Sequence, residues 1–391
     1  MTTEGATSTR WLTNSHPGLR RGWLPIAWSH EVDEAPRRFW LLGEPYVALR
    51  NAQGPTVLPD RCPHRLAPLS AGTMVDGQLR CAYHGWCFDG AGRCVAIPSL
   101  GANPAIPKKA HLAPPFGVQE RYGILFVALD EPVAPLIDLP VSGDPATRRP
   151  TAKDFGGRFG AALLIDNQLD ASHFAFVHTG TFGHDSATEI PPYEVLHDPD
   201  GWGFSVTMTV AITAGNDPGV AAGLRSLDQH RTMTYRYRAP FQLALDLEYS
   251  EMGGSNRIAF FAQPERDDQA RMFSVSVLDQ PGGFTDEEFA ARQAFENLVG
   301  EEDRRIQGAF DVLALPLAPD QECPVRADRA SVAFRRILSN LAALAATTPS
   351  GPAPAGSGAP EPGASEPRAA EPRASESEAG DVALVESAVG H

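Results

Sequence analysis

Two short segments near the N-terminus each offer one cysteine and one histidine: Cys62-Pro63-His64 and Cys81-Ala82-Tyr83-His84. Sixteen residues separate His64 from Cys81, so C-x-H is followed by C-x-x-H. Two thiolates and two imidazoles on two loops suit a [2Fe–2S] centre in which cysteines hold one iron and histidines the other. The same four donors also suit tetrahedral zinc. Zinc fingers, however, keep cysteines in one knuckle and histidines in the other, whereas here each loop carries one of each. The mixed arrangement favours iron–sulfur, and with it one-electron transfer.

A second group lies further on, in Asn167-Gln168-Leu169-Asp170-Ala171-Ser172-His173-Phe174-Ala175-Phe176-Val177-His178. Two histidines and a carboxylate on one side of Fe(II) leave open positions for oxygen and substrate. Asp170 and His173 share a face on a helix. His178 falls five residues beyond His173, about 140° round. Both imidazoles reach one ion only if the helix ends or widens between them, as a π-type bulge over 174–177 would allow.

The elements that must position these groups fall in two regions. Residues 22–130 read as short strands, among them 39–42, 46–49 and 123–129, broken by glycine and proline. This predicts an antiparallel β domain with both Cys/His motifs in its loops. A proline-rich linker is expected over 131–155. Residues 156–345 read as an α+β domain. It has a helix over 166–177 and one antiparallel sheet from strands at 204–210, 232–238, 241–249, 257–263 and 272–278. A long helix opens at Thr285 as N-cap with Asp286-Glu287-Glu288 in its first turn, and a last helix covers 328–345. From 346 the composition shrinks to Ala, Pro, Gly, Ser and Glu, with Glu366-Pro367-Arg368-Ala369 repeated at 371–374. Such a tract is expected to be disordered.

Composition narrows the function. The 391 residues suffice for two domains. No apolar run approaches the ~18 residues of a membrane span, and the start lacks a signal-peptide layout. A cytoplasmic, membrane-free protein is expected. A net charge of -15 argues against a nucleic-acid partner. Four of the five cysteines lie between 62 and 94, a crowding that points to metal before disulfides. Cys87 and Cys94 then read as core thiols. No G-x-G-x-x-G follows a strand, so electrons must come from a separate partner.

The first motif region, Arg61-Cys62-Pro63-His64-Arg65-Leu66-Ala67-Pro68-Leu69-Ser70-Ala71-Gly72 with Cys81-Ala82-Tyr83-His84-Gly85-Trp86, resembles the Rieske domain of ring-hydroxylating and demethylating oxygenases. It lacks the extra cysteine pair and the serine of respiratory Rieske proteins. Fewer hydrogen bonds to sulfur imply a potential at the low end of the range, about -150 mV. The second motif is similar to the N-x-x-D-x-x-H-x-x-x-x-H of Rieske non-haem iron oxygenases. This resemblance implies Cys62, His64, Cys81 and His84 as cluster ligands, and His173 and His178 as ligands of a mononuclear Fe(II). It gives catalytic roles to Asn167 and Asp170, with Asp170 bridging His173 to His84 of the partner subunit and carrying the electron across. The third iron ligand is then a distant carboxylate. The family usually has Glu-Asp on the long helix, which Glu301-Glu302-Asp303 matches, and Asp303 is selected. Glu302 points about 100° away from it. Relatives often carry Glu-Ala five and six residues later, where Gly308 and Ala309 match only at the alanine, so Asp311 is the reserve.

The pattern Asp328-Arg329-Ala330 followed by Arg335-Arg336 looks like the last helix of the vanillate and dicamba O-demethylase group. Asp328 also reads as a helix N-cap, and the arginines as a solvated face. The resemblance implies a terminal oxygenase, fed by a separate reductase with or without a ferredoxin, and assembled as a homotrimer so that one subunit's cluster meets the next subunit's iron. Its substrate would be a small aromatic or heterocyclic molecule, hydroxylated or oxidatively demethylated with O₂. An arene cis-dihydroxylating dioxygenase and a Rieske electron carrier without catalysis are the alternatives. Phe174 and Phe176 flank the iron motif as core residues or substrate contacts.

Overall fold

Glycine and proline interrupt every apolar run before residue 130, and the strands there are correspondingly short. Leu24–Trp28, Gly117–Arg121 and Ile124–Ala128 form one antiparallel sheet, and Arg37–Leu41, Glu44–Asn51 and Gly54–Pro59 a second. Thr73–Val75, Gln78–Arg80, Cys87–Phe88 and Cys94–Ala96 form a third. The Cys62 loop leaves the second sheet and the Cys81 loop joins two strands of the third. A small core of Val47, Leu58, Leu69, Leu79 and Phe88 packs beneath both cysteines. The computed structural model describes residues 10–345 apart from 102–104, 140–147, 186, 216, 252, 280–281 and 319. The tail expected from 346 lies outside them.

The second region is built on a seven-stranded antiparallel sheet. Its spatial order is Arg148–Gly157, Gln269–Asp279, Ser255–Arg266, Gln242–Tyr249, Asp228–Arg238, Gly203–Thr213 and Leu196–His197. All five strands expected from the sequence lie in it. The linker expected over 131–155 is not irregular throughout, because Arg148–Gly157 is its edge strand and pairs with Gln269–Asp279. An edge strand has a neighbour on one side only, which is where a sheet tolerates a proline such as Pro150. Within Asp228–Arg238 the buried residues Gln229, Arg231, Met233, Tyr235 and Tyr237 alternate with polar ones. On the other face, threonine hydroxyls pair across strands at Thr207–Thr234 and Thr209–Thr232.

Four helices matter for the site: α1 (Ala161–Leu169), α2 (Phe174–Val177), α3 (Asp286–Gln307) and α4 (Arg329–Ala345). The single helix expected over 166–177 is therefore broken. Asp170 is extended at φ -89°, ψ 134°, and its carboxylate accepts from the Ser172 N–H at 2.8 Å. That side-chain bond replaces the next helical turn. No bulge forms over 174–177; the break precedes His173 instead. α3 opens as expected, with the Thr285 hydroxyl and Glu288 carboxylate capping each other's backbone N–H. Before α4, the Asp328 carboxylate accepts from Val325 N–H at 2.6 Å, so it caps the preceding turn rather than the helix. Arg335 is not solvated: it pairs with Asp166 on α1 and with Glu322, while Arg336 is exposed.

The two regions share one core. Leu24, Ile26 and Leu41 pack in the same cluster as Tyr237, Leu243 and Phe334. Leu42 and Gly43 donate backbone N–H groups to Pro264 and Glu265. Residues before 22 also belong to the second region, since Trp11–Leu12 pairs with Leu315–Pro316. Asn14 braces the start of α1, accepting from Ala161 N–H at 2.8 Å and donating to the Phe159 carbonyl at 3.0 Å. Among the described residues no helix is long and apolar enough to cross a membrane.

Candidate metal centres

α2 is one turn long, with His173 at its N-terminus and His178 at its C-terminus. His173 Nδ1 lies 3.1 Å from Asp170 Oδ2, and His178 Nδ1 lies 2.8 Å from Glu302 Oε2. An ionised carboxylate only accepts, so each Nδ1 carries the proton and each Nε2 is the atom left for a metal. The two Nε2 atoms stand 3.2 Å apart. Asp303 Oδ1 lies 3.4 Å from one and 3.3 Å from the other. Ligands about 2.1 Å from one ion at near right angles lie ~3 Å apart. The donor set and its convergence therefore fit a 2-His-1-carboxylate iron site.

The surroundings hold the carboxylate in place. Asn167 Nδ2 donates to Asp303 Oδ1 at 3.0 Å, and Gln307 Nε2 donates to Asn167 Oδ1 at 3.1 Å. Burial would raise the Asp303 carboxyl, but hydrogen bonds from the two imidazoles hold it well below the usual carboxylate range. Burial would likewise lower His173, yet Asp170 and Asp303 outweigh it and raise the imidazole to about 9.

The structure brings His173, His178, Asp303, Asn167 and Asp170 together. It leaves Asp311 exposed, with its backbone carbonyl accepting from Arg158. The sequence reading set Glu302 aside as an iron ligand and gave it no other role. It does point away from the metal point, but its chain reaches round to the back of His178, where Thr181 also donates to it at 2.7 Å. A carboxylate beside a ligand on the same helix was the available signal. Phe182 stacks on His178 and Phe174 meets His173 edge-on. Phe176 is 69% exposed, so it is not a core residue.

The Cys/His loops are built alike. Cys62 N–H bonds to the Ala67 carbonyl and Leu66 N–H to the Cys62 carbonyl, both at 2.8 Å. Cys81 N–H bonds to Trp86 and Gly85 N–H to Cys81, at 2.9 and 3.1 Å. The residue four beyond each cysteine has positive φ, 58° at Leu66 and 71° at Gly85. Glycine adopts this freely, whereas leucine is strained there by about 1 kcal/mol. The shared backbone explains how histidines at different spacings face each other, with His64 and His84 ring centroids 4.4 Å apart. Trp86 stacks on His64 at 4.7 Å. Both cysteines are buried and both histidines exposed. Burial, with Cys81 alongside, pushes the Cys62 thiol up to about 11. Paired buried thiols of this kind ionise readily only when a metal takes them. Two thiols inside and two imidazoles outside fit a [2Fe–2S] centre.

The Rieske [2Fe-2S] domain family matches residues 22–110. The vanillate O-demethylase oxygenase C-terminal domain family matches residues 160–344. Methylxanthine N1-demethylase NdmA of Pseudomonas putida is 27% identical over 83% of this chain and 89% of its own. The oxygenase component of dicamba O-demethylase from Stenotrophomonas maltophilia is 36% identical over 41% of this chain and 48% of its own. The solved structure of NdmB from Pseudomonas putida CBB5 superposes with a TM-score of 0.68 at 25% identity, covering 85% of this chain and 93% of that one. The chain thus belongs to the Rieske non-haem iron oxygenases, as a terminal oxygenase component of the vanillate and dicamba O-demethylase kind, with a [2Fe–2S] cluster and a mononuclear iron as its cofactors.

Proposed function

We propose that this protein is a monooxygenase that hydroxylates or oxidatively demethylates a small aromatic or heterocyclic substrate. The observation that carries the reading is the convergence of His173 Nε2, His178 Nε2 and Asp303 Oδ1 on one point, beside a carboxylate that grips the far side of His173. For a methoxy substrate, ROCH₃ + O₂ + 2e⁻ + 2H⁺ gives ROH, formaldehyde and water. The iron supplies the activation of O₂, with electrons drawn from the cluster. Three protein donors leave its remaining positions to the reactants. Asn167 and Gln307 keep Asp303 from turning, and Glu302 keeps Nε2 of His178 aimed inward.

Asp170 is the electron bridge in this reading. It holds the Nδ1 proton of His173, it is partly exposed, and an exposed imidazole, His84 of the partner subunit, is its counterpart. The working assembly is a homotrimer in the cytoplasm, fed by a separate reductase with or without a ferredoxin. The relatives' names support this division of labour, since they describe oxygenase components and iron–sulfur subunits.

The test is a screen of methoxy, N-methyl and aromatic compounds with a surrogate reductase, scored by oxygen uptake and formaldehyde release. With ¹⁸O₂, a hydroxylated product should carry one labelled atom, whereas demethylation should send that atom into formaldehyde; in both cases the second atom enters water. Two labelled atoms in the product would establish the dioxygenase instead. An iron content no greater than the cluster accounts for would establish the electron carrier.

A further inference from the structure

Asp60 is a carboxylate sealed from solvent two residues before Cys62, with a side-chain exposure of 0%. Its Oδ1 accepts from the Ser70 N–H at 2.6 Å and its Oδ2 from the Ser70 hydroxyl at 2.7 Å. Oδ2 also accepts from Arg38 Nε. The Asp60 backbone N–H donates to the Pro45 carbonyl at 3.0 Å. Residues 61–69, which include Cys62 and His64, thus form a loop whose two ends are joined by one side chain. A buried carboxylate is tolerated when a charge and hydrogen bonds answer it, and both oxygens of Asp60 are answered.

The two Cys/His loops close by different means. The Cys81 loop is shut by a sheet, since Arg80 pairs with Cys87 in the antiparallel ladder of Gln78–Arg80 and Cys87–Phe88. The Cys62 loop leaves the strand Gly54–Pro59 and leads to Thr73–Val75, and those strands belong to different sheets. Among the described residues no ladder spans its ends, and the Asp60–Ser70 clasp takes that place. The loop needs closure, because Leu66 within it holds a φ of 58° that leucine adopts only under constraint. Arg61 adds a tie to Glu44 at 3.0 Å, but both side chains are nearly half exposed and water screens that pair. Arg38 is itself well seated. On its strand, the Trp40 carbonyl accepts from Gln263 Nε2 at 2.8 Å and the Trp40 ring carries the Arg266 guanidinium at 4.0 Å. Arg38 therefore grips Asp60 from a strand anchored in the second region.

We infer that Asp60 is a positioning residue for the [2Fe–2S] centre, with Ser70 as its counterpart. It fixes the span of the Cys62–His64 loop, and so the placement of one thiol and one imidazole opposite those of the Cys81 loop. The inference rests on Cys62 and His64 being cluster ligands and adds a residue outside that ligand set. Groups that orient a ligand from behind tune both the affinity and the potential of a metal centre. A slack loop should therefore alter the potential of the cluster as well as its retention.

The test uses the full-length, cluster-loaded protein. Ser70→Ala removes the hydroxyl bond and alters no charge. Its cluster iron should pass to a chelator about tenfold faster than the parent's. At a fixed potential its reduced-to-oxidised ratio should move about threefold, or ~28 mV at about 59 mV per tenfold. The EPR signal of its reduced cluster should broaden. Ser70→Thr, which keeps the hydroxyl, should match the parent in all three. Asp60→Asn sets an amide against Arg38 and should release cluster iron about tenfold to a hundredfold faster. If that variant fails to fold, the two serine variants decide. A parent-like potential and spectrum in Ser70→Ala overturn the inference even where some cluster is lost, because that pattern belongs to a folding role alone. A parent protein with no [2Fe–2S] EPR signal overturns the ligand assignment, and the role of the clasp with it.

Discussion

The Glu302 carboxylate stands 2.8 Å from Nδ1 of His178, on the side of the ring away from the metal point. One carboxylate on α3 therefore faces the ion and its sequence neighbour steadies a ligand from behind. Replacing Glu302 by alanine should weaken mononuclear iron binding about tenfold to a hundredfold, the usual cost of losing such a support. Chelator competition measures this directly, and the visible absorbance of the cluster should not change. Unaltered iron retention would show that Glu302 does not orient the ligand.

Asp303 and Asp311 give a cleaner contrast. Asp303→Ala should lose the mononuclear iron and all oxygen uptake while keeping cluster iron. Asp311→Ala should behave as the parent, because Asp311 is exposed and the group that converges on one point is His173, His178 and Asp303. Iron analysis per subunit separates the two, and iron loss from the Asp311 variant would reverse the assignment.

Asp170→Asn tests the bridge. The amide oxygen still accepts from the Ser172 backbone, so the local break in the helix survives. Both cofactors should stay in place, while electron transfer to the mononuclear site slows at least about tenfold. Rapid-mixing oxidation of the reduced cluster in the presence of substrate reads the rate. A rate equal to the parent's would remove Asp170 from the path.

Two adjacent arginines on α4 should differ sharply in stability. Arg335→Ala leaves the largely buried Asp166, which it clasps with both terminal nitrogens, with only the Ser331 hydroxyl, at a cost of about 3 kcal/mol. Arg336→Ala removes an exposed charge and should cost less than ~0.5 kcal/mol. Paired thermal melts of the two variants check the difference; equal melting temperatures would contradict it.

The sequence was most legible where chemistry is local. Each Cys/His loop and the histidine pair are short segments, so spacing alone announces the ligands. The sheet was legible wherever alternation ran through a central strand. Legibility failed where one residue acts on something distant. Pro150 made an edge strand look like a linker, since its place at the edge is known only once the partner strand is. Asp170 broke the helix through a bond to Ser172 that helical periodicity does not register. Glu302 was dismissed on its angle to the metal, although its reach round the imidazole was what mattered. Arg231 lies in a strand that read correctly, but its burial against Phe174 and Phe182 appears only once the site elements pack on that strand.

Four residues cannot sustain a helix by themselves, because nucleation outweighs what one turn returns. Phe174–Val177 persists between two histidines that an ion would clasp, one before it and one after it. The ion is thus a fastener as well as a reagent. A subunit starved of iron should open here first, exchanging the amide hydrogens of 174–178 well before those of the sheet. Proteolytic sensitivity at this turn would then report how many copies in a cell are ready to work.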